Sequence, residues 1–288
     1  MIDKATEIAA FFEHEPVAVM AQLSEVRGSS PRAQGTFMLV GETSEFGTIG
    51  GGTLEYMVLD QARRLIRSGE NMTRLDVPLG PEIGQCCGGR VGVSMDLVTP
   101  DIRAALVTNA AADDAELTPV FVFGAGHVGR ALAKILDLLP VKVCVVDTRS
   151  EELALLPSGI KSRRVAMPEA VVREAPIGSA FVILTHDHAL DFLIAQEALS
   201  RSDSPYVGMV GSKTKRAKFS SWYRGEGGSV QALERLVLPI GNQGLVDKRP
   251  EVIAALAAAE IMVHIGRWEA DIAGVQGTKH WGAANGRQ

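Results

Sequence analysis

The sequence predicts an α/β protein in which a C-terminal parallel sheet is joined to a smaller N-terminal α+β domain. A strand–turn–helix–strand pattern runs from residue 119 to residue 149, and four further extended runs follow it, separated by helical or loop segments. The N-terminal third instead has short strands separated by glycine-rich loops. We predict domains at residues 1–98 and 119–270, a linker at 99–118 and a tail at 271–288.

The first part of the C-terminal pattern contains a complete dinucleotide-binding motif. An apolar run, Val120 to Phe123, precedes a G-x-G-x-x-G turn made by Gly124, Gly126 and Gly129, and a helical pattern and a second strand ending at Asp147 follow. In such a unit the glycines allow a tight turn, the approach of a phosphate and close helix packing, and the acid accepts from a ribose hydroxyl. This predicts a Rossmann-type sheet of order 3-2-1-4-5-6. The alternative is that the fold is kept without a dinucleotide.

The predicted strand order brings several polar residues to the same crevice as the glycine turn. The fourth strand ends in His186, Asp187 and His188, and it lies beside the first strand, which leads to His127. Two histidines and a carboxylate suit a metal or proton transfer, but side chains alternate along a strand, which favours ligand contact over a permanent metal site.

The fifth strand is followed by a serine and a lysine at the start of a helix. We expect Ser212 and Lys213 to contact an anionic ligand, which would offset the unfavourable placement of cations at a helix N-terminus. The alternative is that these residues and the basic residues after them, Lys215, Arg216 and Lys218, form a solvated basic surface.

Three glycine-bounded loops carry the polar groups of the N-terminal domain. The first, residues 27–35, holds two arginines and two serines, and the second places Gly50, Gly51 and Gly52 before a helix predicted at 53–67, where an anion could approach the backbone. The third holds Gln85, Cys86 and Cys87. Adjacent thiols suit soft-metal ligation or sulfur relay, although they could simply pack a turn. Cys144 lies in an apolar strand and is expected to be a core residue.

Composition excludes several classes of protein. A net charge of −5 leaves no basic surface for nucleic acid, and no apolar run is long enough for a membrane span. The N-terminus carries acids and no cleavage site, so we do not expect it to be a signal peptide. Three cysteines, two of them adjacent, do not form a disulfide framework, which favours a reducing cytoplasm.

Taken together and in order, the loops resemble those of the XdhC/CoxI family. The segments that carry the resemblance are GSSPRAQG, GTIGGGTLE, GQCCGG, GAGHVGRAL, THDHALD and GMVGSKTKR. The resemblance implies an accessory protein that binds the molybdenum cofactor, supports its sulfuration and inserts it into xanthine dehydrogenase or a related molybdenum hydroxylase. It implies the apo-enzyme and a cysteine desulfurase as partners, no nucleic acid or membrane partner, and a homodimer.

Two other functions stay open from the residues alone. The Rossmann crevice suits an NAD(P)-dependent oxidoreductase, or another nucleotide ligand, and the histidine–aspartate cluster suits a metallohydrolase. We predict Cys86 and Cys87 as metal ligands and assign no catalytic residue. The predicted cofactor-binding residues are Gly50, Gly51, Gly52, Gln85, Cys86, Cys87, Gly124, Gly126, His127, Gly129, Asp147, His186, Asp187, His188, Ser212 and Lys213.

Overall fold

The computed structural model describes residues 3–80, 88–241, 244–245 and 247–276. The chain divides into two compact units, and the division falls between Ala115 and Glu116. Over these described ranges, no helix is both long enough and apolar enough to cross a membrane.

The N-terminal unit is a five-stranded antiparallel sheet with helices on both faces, which confirms the predicted α+β class. The strands lie in the order β3-β2-β1-β5-β4. One face packs on α2 through Leu54, Val58, Ala62 and Leu65, and the other packs on α1 and α3. The elements are α1 (Lys4–His14), β1 (Val19–Arg27), β2 (Phe37–Val40), β3 (Glu45–Gly47), α2 (Gly52–Ser68), β4 (Met72–Pro78), β5 (Arg90–Leu97) and α3 (Pro100–Glu116).

Two local features of this unit differ from the sequence expectation. Helix α2 begins at Gly52 with Gly51 as its N-cap residue, one residue before the predicted start at Thr53. The segment expected to be a linker is helical as α3, because alanine favours helix and the apolar residues Leu106, Val107 and Ala110 pack against α1. Gly69 ends α2 in the left-handed conformation, and its N–H donates to the carbonyl oxygen of Leu65.

A buried carboxylate that the sequence analysis did not identify organises the turn between β2 and β3. Glu15 is only 4% exposed, and its two oxygens accept from the backbone N–H groups of Glu42, Thr43 and Ser44 and from the hydroxyls of the last two. Gly41 is required beside it, since a Cβ there would lie 2.3 Å from Glu15 Cδ. The hydroxyl of Thr43 and the other hydrogen bonds outweigh burial and lower the pKa of Glu15 from 4.5 to about 2.

The C-terminal unit is a six-stranded parallel sheet in the order β11-β10-β9-β6-β7-β8. Numbered within the unit and read from the other edge, this is 3-2-1-4-5-6, so the predicted order is confirmed. Helices α4 and α10 cover one face, and α6, α7 and α8 cover the other. The elements are β6 (Pro119–Phe123), α4 (His127–Leu136), β7 (Lys142–Asp147), α5 (Ser150–Leu153), β8 (Lys161–Arg164), α6 (Pro168–Glu174), β9 (Ala180–Ile183), α7 (His188–Ser200), β10 (Val207–Met209), α8 (Lys213–Gly225), α9 (Val230–Glu234), β11 (Leu236–Val237) and α10 (Pro250–Gln276).

The last helix extends beyond the predicted end of the domain. Helix α10 continues to Gln276, six residues into the segment predicted to be a tail, and the residues after 276 lie outside the described part of the chain.

Two of the three glycines in the motif, Gly124 and Gly129, have the steric roles that the sequence predicted. Gly124 has φ +115°, and a Cβ there would lie 2.3 Å from the carbonyl oxygen of Leu184 at the end of β9. A Cβ on Gly129 would lie 1.9 Å from the carbonyl oxygen of Gly124, so α4 approaches its own turn closely. Gly126 differs, because a Cβ there meets nothing within 4 Å. The middle glycine therefore faces open space.

We predict that Gly129→Ala lowers the free energy of unfolding by on the order of 2–3 kcal/mol, because the backbone carbonyl that it would contact cannot move away as a side chain could. Gly126→Ala is the matched control and should cost less than about 1 kcal/mol, the difference between glycine and alanine at a helix N-cap. Chemical denaturation of the two variants measures both values. Equal losses in the two variants would contradict the assigned packing role.

We predict that Glu15→Gln destabilises the N-terminal unit by about 2–3 kcal/mol at pH 7, because several donors then lose an ionised acceptor. Since the folded pKa is depressed, this contribution is complete above pH 4.5 and is lost as the pH falls toward 2. The melting temperatures of wild type and variant should therefore converge in acid. The exposed neighbour Glu13 provides the control: Glu13→Gln should melt like wild type at every pH.

Candidate functional site

The C-terminal crevice forms where the carboxyl ends of β6 and β9 lie side by side. Strand β6 pairs with both β7 and β9, and the chain leaves the two central strands toward opposite edges of the sheet. Such a switch point leaves a crevice above the strand ends. It brings the turn at Gly124 to His127 next to the segment that carries His186, Asp187 and His188, as predicted. All three histidines in these segments are exposed.

Asp147 ends β7 in this crevice, but its carboxylate is bound within the protein. Oδ2 accepts from the backbone N–H of Ala125 at 2.7 Å and from Arg149 Nη2 at 3.0 Å, and Oδ1 accepts from Arg149 N at 3.0 Å and Arg149 Nε at 3.1 Å. The residue is 5% exposed. Burial opposes its ionisation, but these hydrogen bonds and the charge of Arg149 outweigh it and lower the pKa of Asp147. The carboxylate thus holds the glycine turn in place through the hydrogen bond that it accepts from Ala125.

The histidine–aspartate segment contains a helix cap. Asp187 is the N-cap residue of α7, and its Oδ1 accepts from Ala189 N at 2.7 Å and Leu190 N at 3.3 Å. These backbone hydrogen bonds lower the pKa of Asp187. Oδ1 is therefore committed to the helix, and Asp187 stays exposed together with His186 and His188. In the described ranges, no group of three or more histidine, cysteine or acidic residues is arranged to hold a metal.

A buried ion pair missed by the sequence analysis joins the ends of β9 and β10. Asp191 is fully buried; its Oδ1 accepts from the backbone N–H and hydroxyl of Thr185, and its Oδ2 accepts from Lys215 Nζ. Lys215 Nζ also donates to the carbonyl oxygen of Val210 at 2.9 Å. The feature of the sequence that could have indicated this pair is an acidic residue, Asp191, within the apolar pattern of α7.

The basic residues that follow β10 therefore do not form one solvated surface. Lys215 is buried, and Arg216 Nη1 donates to the carbonyl oxygens of Leu236 and Leu238. Ser212 caps α8, because its hydroxyl accepts from Lys215 N at 3.2 Å. Lys213, the first residue of α8, is exposed.

In the N-terminal unit, the loop of residues 27–35 and the triple-glycine loop meet at one end of the sheet. A Cβ on Gly50 would lie 2.6 Å from Pro31 Cγ, and a Cβ on Gly89 would lie 2.1 Å from the carbonyl oxygen of Ser29. The loop of residues 27–35 thus contacts both the triple-glycine loop and the segment that follows the cysteines. Gln85, Cys86 and Cys87 themselves lie outside the described residues.

The triple-glycine loop, predicted as an anion cradle, already holds a carboxylate of the same chain. Glu55 Oε1 accepts from Ile49 N at 2.9 Å, Gly50 N at 3.3 Å, Gly51 N at 2.9 Å and the hydroxyl of Thr48. Burial opposes ionisation, but these donors lower the pKa of Glu55. The loop does bind an anionic group, but that group is internal. Gly51, with φ +76° and nothing within 4 Å of its Cβ position, is the open part of the loop.

Cys144 lies in β7 and is buried, as the sequence predicted. Burial raises the pKa of its thiol. It is therefore a neutral core residue under physiological conditions.

We predict that Glu55→Ala accelerates amide hydrogen exchange at Ile49, Gly50 and Gly51 by about tenfold or more, since these N–H groups lose their shared acceptor. Hydrogen exchange with fragment-resolved mass spectrometry measures this in residues 48–52. Asp60→Asn, an exposed substitution further along α2, is the control and should leave these amides unchanged. Unchanged exchange in Glu55→Ala would show that Glu55 does not hold the loop.

Known families match both units of the chain. The XdhC Rossmann domain matches residues 120–261, and the XdhC and CoxI family matches residues 13–76. The uncharacterized protein YqeB of Escherichia coli (strain K12) is 28% identical over 268 residues, which cover 89% of this chain and 45% of YqeB. The chain therefore spans less than half the length of this relative.

A solved structure has the same fold. The crystal structure of a protein described as a xanthine dehydrogenase from Bacillus halodurans superposes with a TM-score of 0.76, covering 92% of this chain and 96% of that one at 17% identity. At this identity the likeness concerns the fold. Both family matches fall on the two units described above, in the order predicted, and the chain belongs to the XdhC and CoxI family.

Proposed function

We propose that this protein is an accessory factor that binds the molybdenum cofactor, supports its sulfuration and inserts it into xanthine dehydrogenase or a related molybdenum hydroxylase. Family membership supports the accessory role. The observation that supports the cofactor proposal is that the loop of residues 27–35 contacts both the triple-glycine loop and Gly89, which follows the cysteines closely in the sequence.

The donor set of these loops fits a pterin cofactor that carries a phosphate and a molybdenum centre. The open position at Gly51 and the exposed side chain of Arg32 suit the phosphate, and the serines of the same loop suit polar edges of the pterin. Cys86 and Cys87 would supply thiolates, the soft ligands that molybdenum–sulfur chemistry requires. When bound, the cofactor supplies the metal centre that the client enzyme needs, and this chain holds and protects it.

The proposed partners follow from this role. The apo-form of the client hydroxylase would receive the cofactor, and a cysteine desulfurase would supply sulfur to the loop that holds the two adjacent cysteines. A homodimer is the proposed assembly.

A second proposed property belongs to the C-terminal crevice, which we infer binds a nucleotide. The observation that favours it is the open position at Gly126, directly before the N-terminus of α4, where a phosphate can approach the backbone. An NAD(P)-dependent oxidoreductase is the alternative function that this crevice would serve. Metal and nucleotide analysis of the protein isolated from cells that make the cofactor separates the two, because molybdenum supports the accessory role and bound nicotinamide alone supports the oxidoreductase.

We predict that replacing Cys86 and Cys87 together by serine lowers both the molybdenum content of the isolated protein and its ability to activate the apo-client by about tenfold or more, because serine keeps the size but removes the soft ligand. Molybdenum is measured by elemental analysis, the pterin by fluorescence after oxidation, and activation by client turnover after reconstitution. The control is Cys144→Ala, which removes a thiol buried in β7 and should leave loading unchanged. A folded double variant that loads cofactor and activates the client like wild type would restrict the thiols to packing.

A further inference from the structure

The acceptor capacity of Asp147 is used up within the protein. A carboxylate offers about four acceptor positions, two on each oxygen. Each oxygen of Asp147 already receives two donors: Ala125 N and Arg149 Nη2 on Oδ2, and Arg149 N and Arg149 Nε on Oδ1. No position is left for the hydroxyl of a ribose. The acid that usually accepts from a free 2′-hydroxyl in this fold therefore cannot do so here without releasing Arg149.

Arg149, in contrast, retains donors that Asp147 does not use. A guanidinium carries five N–H groups, and Asp147 takes one from Nε and one from Nη2. Within the described residues, the nearest carboxylate oxygen to Nη1 is Glu152 Oε1 at 3.6 Å, too far for a hydrogen bond. The side chain of Arg149 is 27% exposed, whereas that of Asp147 is 3% exposed. The group presented at the tip of β7 is thus a cationic donor.

The position of this donor matches one part of a bound nucleotide. Asp147 and Arg149 follow the second strand of the motif, where the ribose of the adenosine lies in this fold, and Asp147 contacts the glycine turn through Ala125. An arginine at this position binds a phosphate with its planar fork, because phosphate oxygens only accept. A ribose with a free hydroxyl offers this arginine a much weaker acceptor.

We propose that the C-terminal crevice selects nucleotides whose adenosine ribose carries a 2′-phosphate, and that Arg149 is the residue that binds this phosphate. This reverses the preference that the sequence motif predicts, in which Asp147 favours a free hydroxyl and repels the phosphate. The proposal rests on the proposed binding of a nucleotide in the crevice. Asp147 acts as a positioning residue, since it orients the guanidinium and does not contact the ligand.

The other charged groups around Arg149 set the strength of this selection. Arg130 Nη1 donates to Glu152 Oε2 and to the carbonyl oxygen of Ala125 at 2.6 Å. Glu151 also acts on Arg149 through its charge, so the two arginines and the three acids, Asp147, Glu151 and Glu152, have a formal net charge of −1. Glu152 therefore competes with the phosphate for Arg149, and removing its charge should strengthen binding of the phosphate. Removing the charge of Glu152 and removing the charge of Arg149 should therefore have opposite effects on the binding of a 2′-phosphate.

Calorimetric titration of the full chain with NADP⁺ and with NAD⁺ tests the proposal. For wild type we expect NADP⁺ to bind at least about tenfold more tightly than NAD⁺. Arg149→Gln should weaken NADP⁺ binding about 10- to 100-fold, which removes the preference, and should leave NAD⁺ binding unchanged or strengthen it, because Asp147 then regains acceptor positions for a ribose hydroxyl. Glu152→Gln should strengthen NADP⁺ and leave NAD⁺ unchanged. Arg173→Gln, an exposed arginine on α6, is the matched control and should bind both like wild type.

Three further results complete the test. Melting curves identify an Arg149→Gln variant that fails to fold, in which case Arg149→Lys, which keeps the charge but loses the fork, should show a reduced preference. If wild type binds NAD⁺ as tightly as NADP⁺ or more tightly, the selection by Arg149 is overturned while nucleotide binding stands. If wild type binds neither nucleotide at millimolar concentration, nucleotide binding in the crevice is overturned together with this inference, and the molybdenum-loading experiment still decides the accessory role.

Discussion

Carboxylates that each accept several internal hydrogen bonds hold the irregular parts of this protein in place. Glu15 binds the turn between β2 and β3, Glu55 binds the triple-glycine loop, and Asp147 binds the glycine turn after β6. A loop has no ladder partner for its N–H groups, and each N–H that is turned away from water needs another acceptor. An ionised carboxylate satisfies several at once. In each case the hydrogen bonds outweigh burial and lower the pKa of the acid, so the three loops are ordered by charges that persist at neutral pH.

The C-terminal fold was predictable because its pattern is periodic. Strands buried on both faces appear as continuous apolar runs, and right-handed connections together with the motif at the first turn leave few strand orders. Element ends were less accurate. Strand β11 spans only two residues, and the apolar run that follows it contains Pro239, which has no N–H for a sheet ladder. Helices α5, α6 and α9, with four to seven residues each, are too short for a helical period to appear.

The candidate site was predictable in position but not in the state of its polar groups. Nearby backbone atoms leave no room for a side chain at Gly124 and Gly129, and the glycine motif indicates this directly. Whether a polar group is free depends on partners that its own segment does not reveal. Lys215 seemed part of a basic surface, but its partner Asp191 lies 24 residues earlier in another helix. Asp187 and Ser212 stand in the predicted loops, and both cap the helices that follow.

The groups left over after this internal pairing indicate what each unit can recognise. In the C-terminal unit, both oxygens of Asp147 and of Asp191 accept from internal donors and one oxygen of Asp187 caps α7, while the cations Arg149 and Lys213 reach solvent. A ligand there must bring acceptors, and phosphate oxygens meet that requirement better than hydroxyls do.

In the N-terminal loops, it is the backbone donors that are already paired within the protein. Glu55 occupies the N–H groups of residues 49–51, so a glycine-rich sequence does not by itself provide a free anion site. An anionic ligand at this loop would compete with the carboxylate of Glu55, which already accepts from four donors. The side chains of residues 27–35 must therefore supply the donors that the backbone no longer offers. We therefore expect the thiols and side chains of these loops, rather than their glycines, to determine which cofactor the N-terminal unit binds.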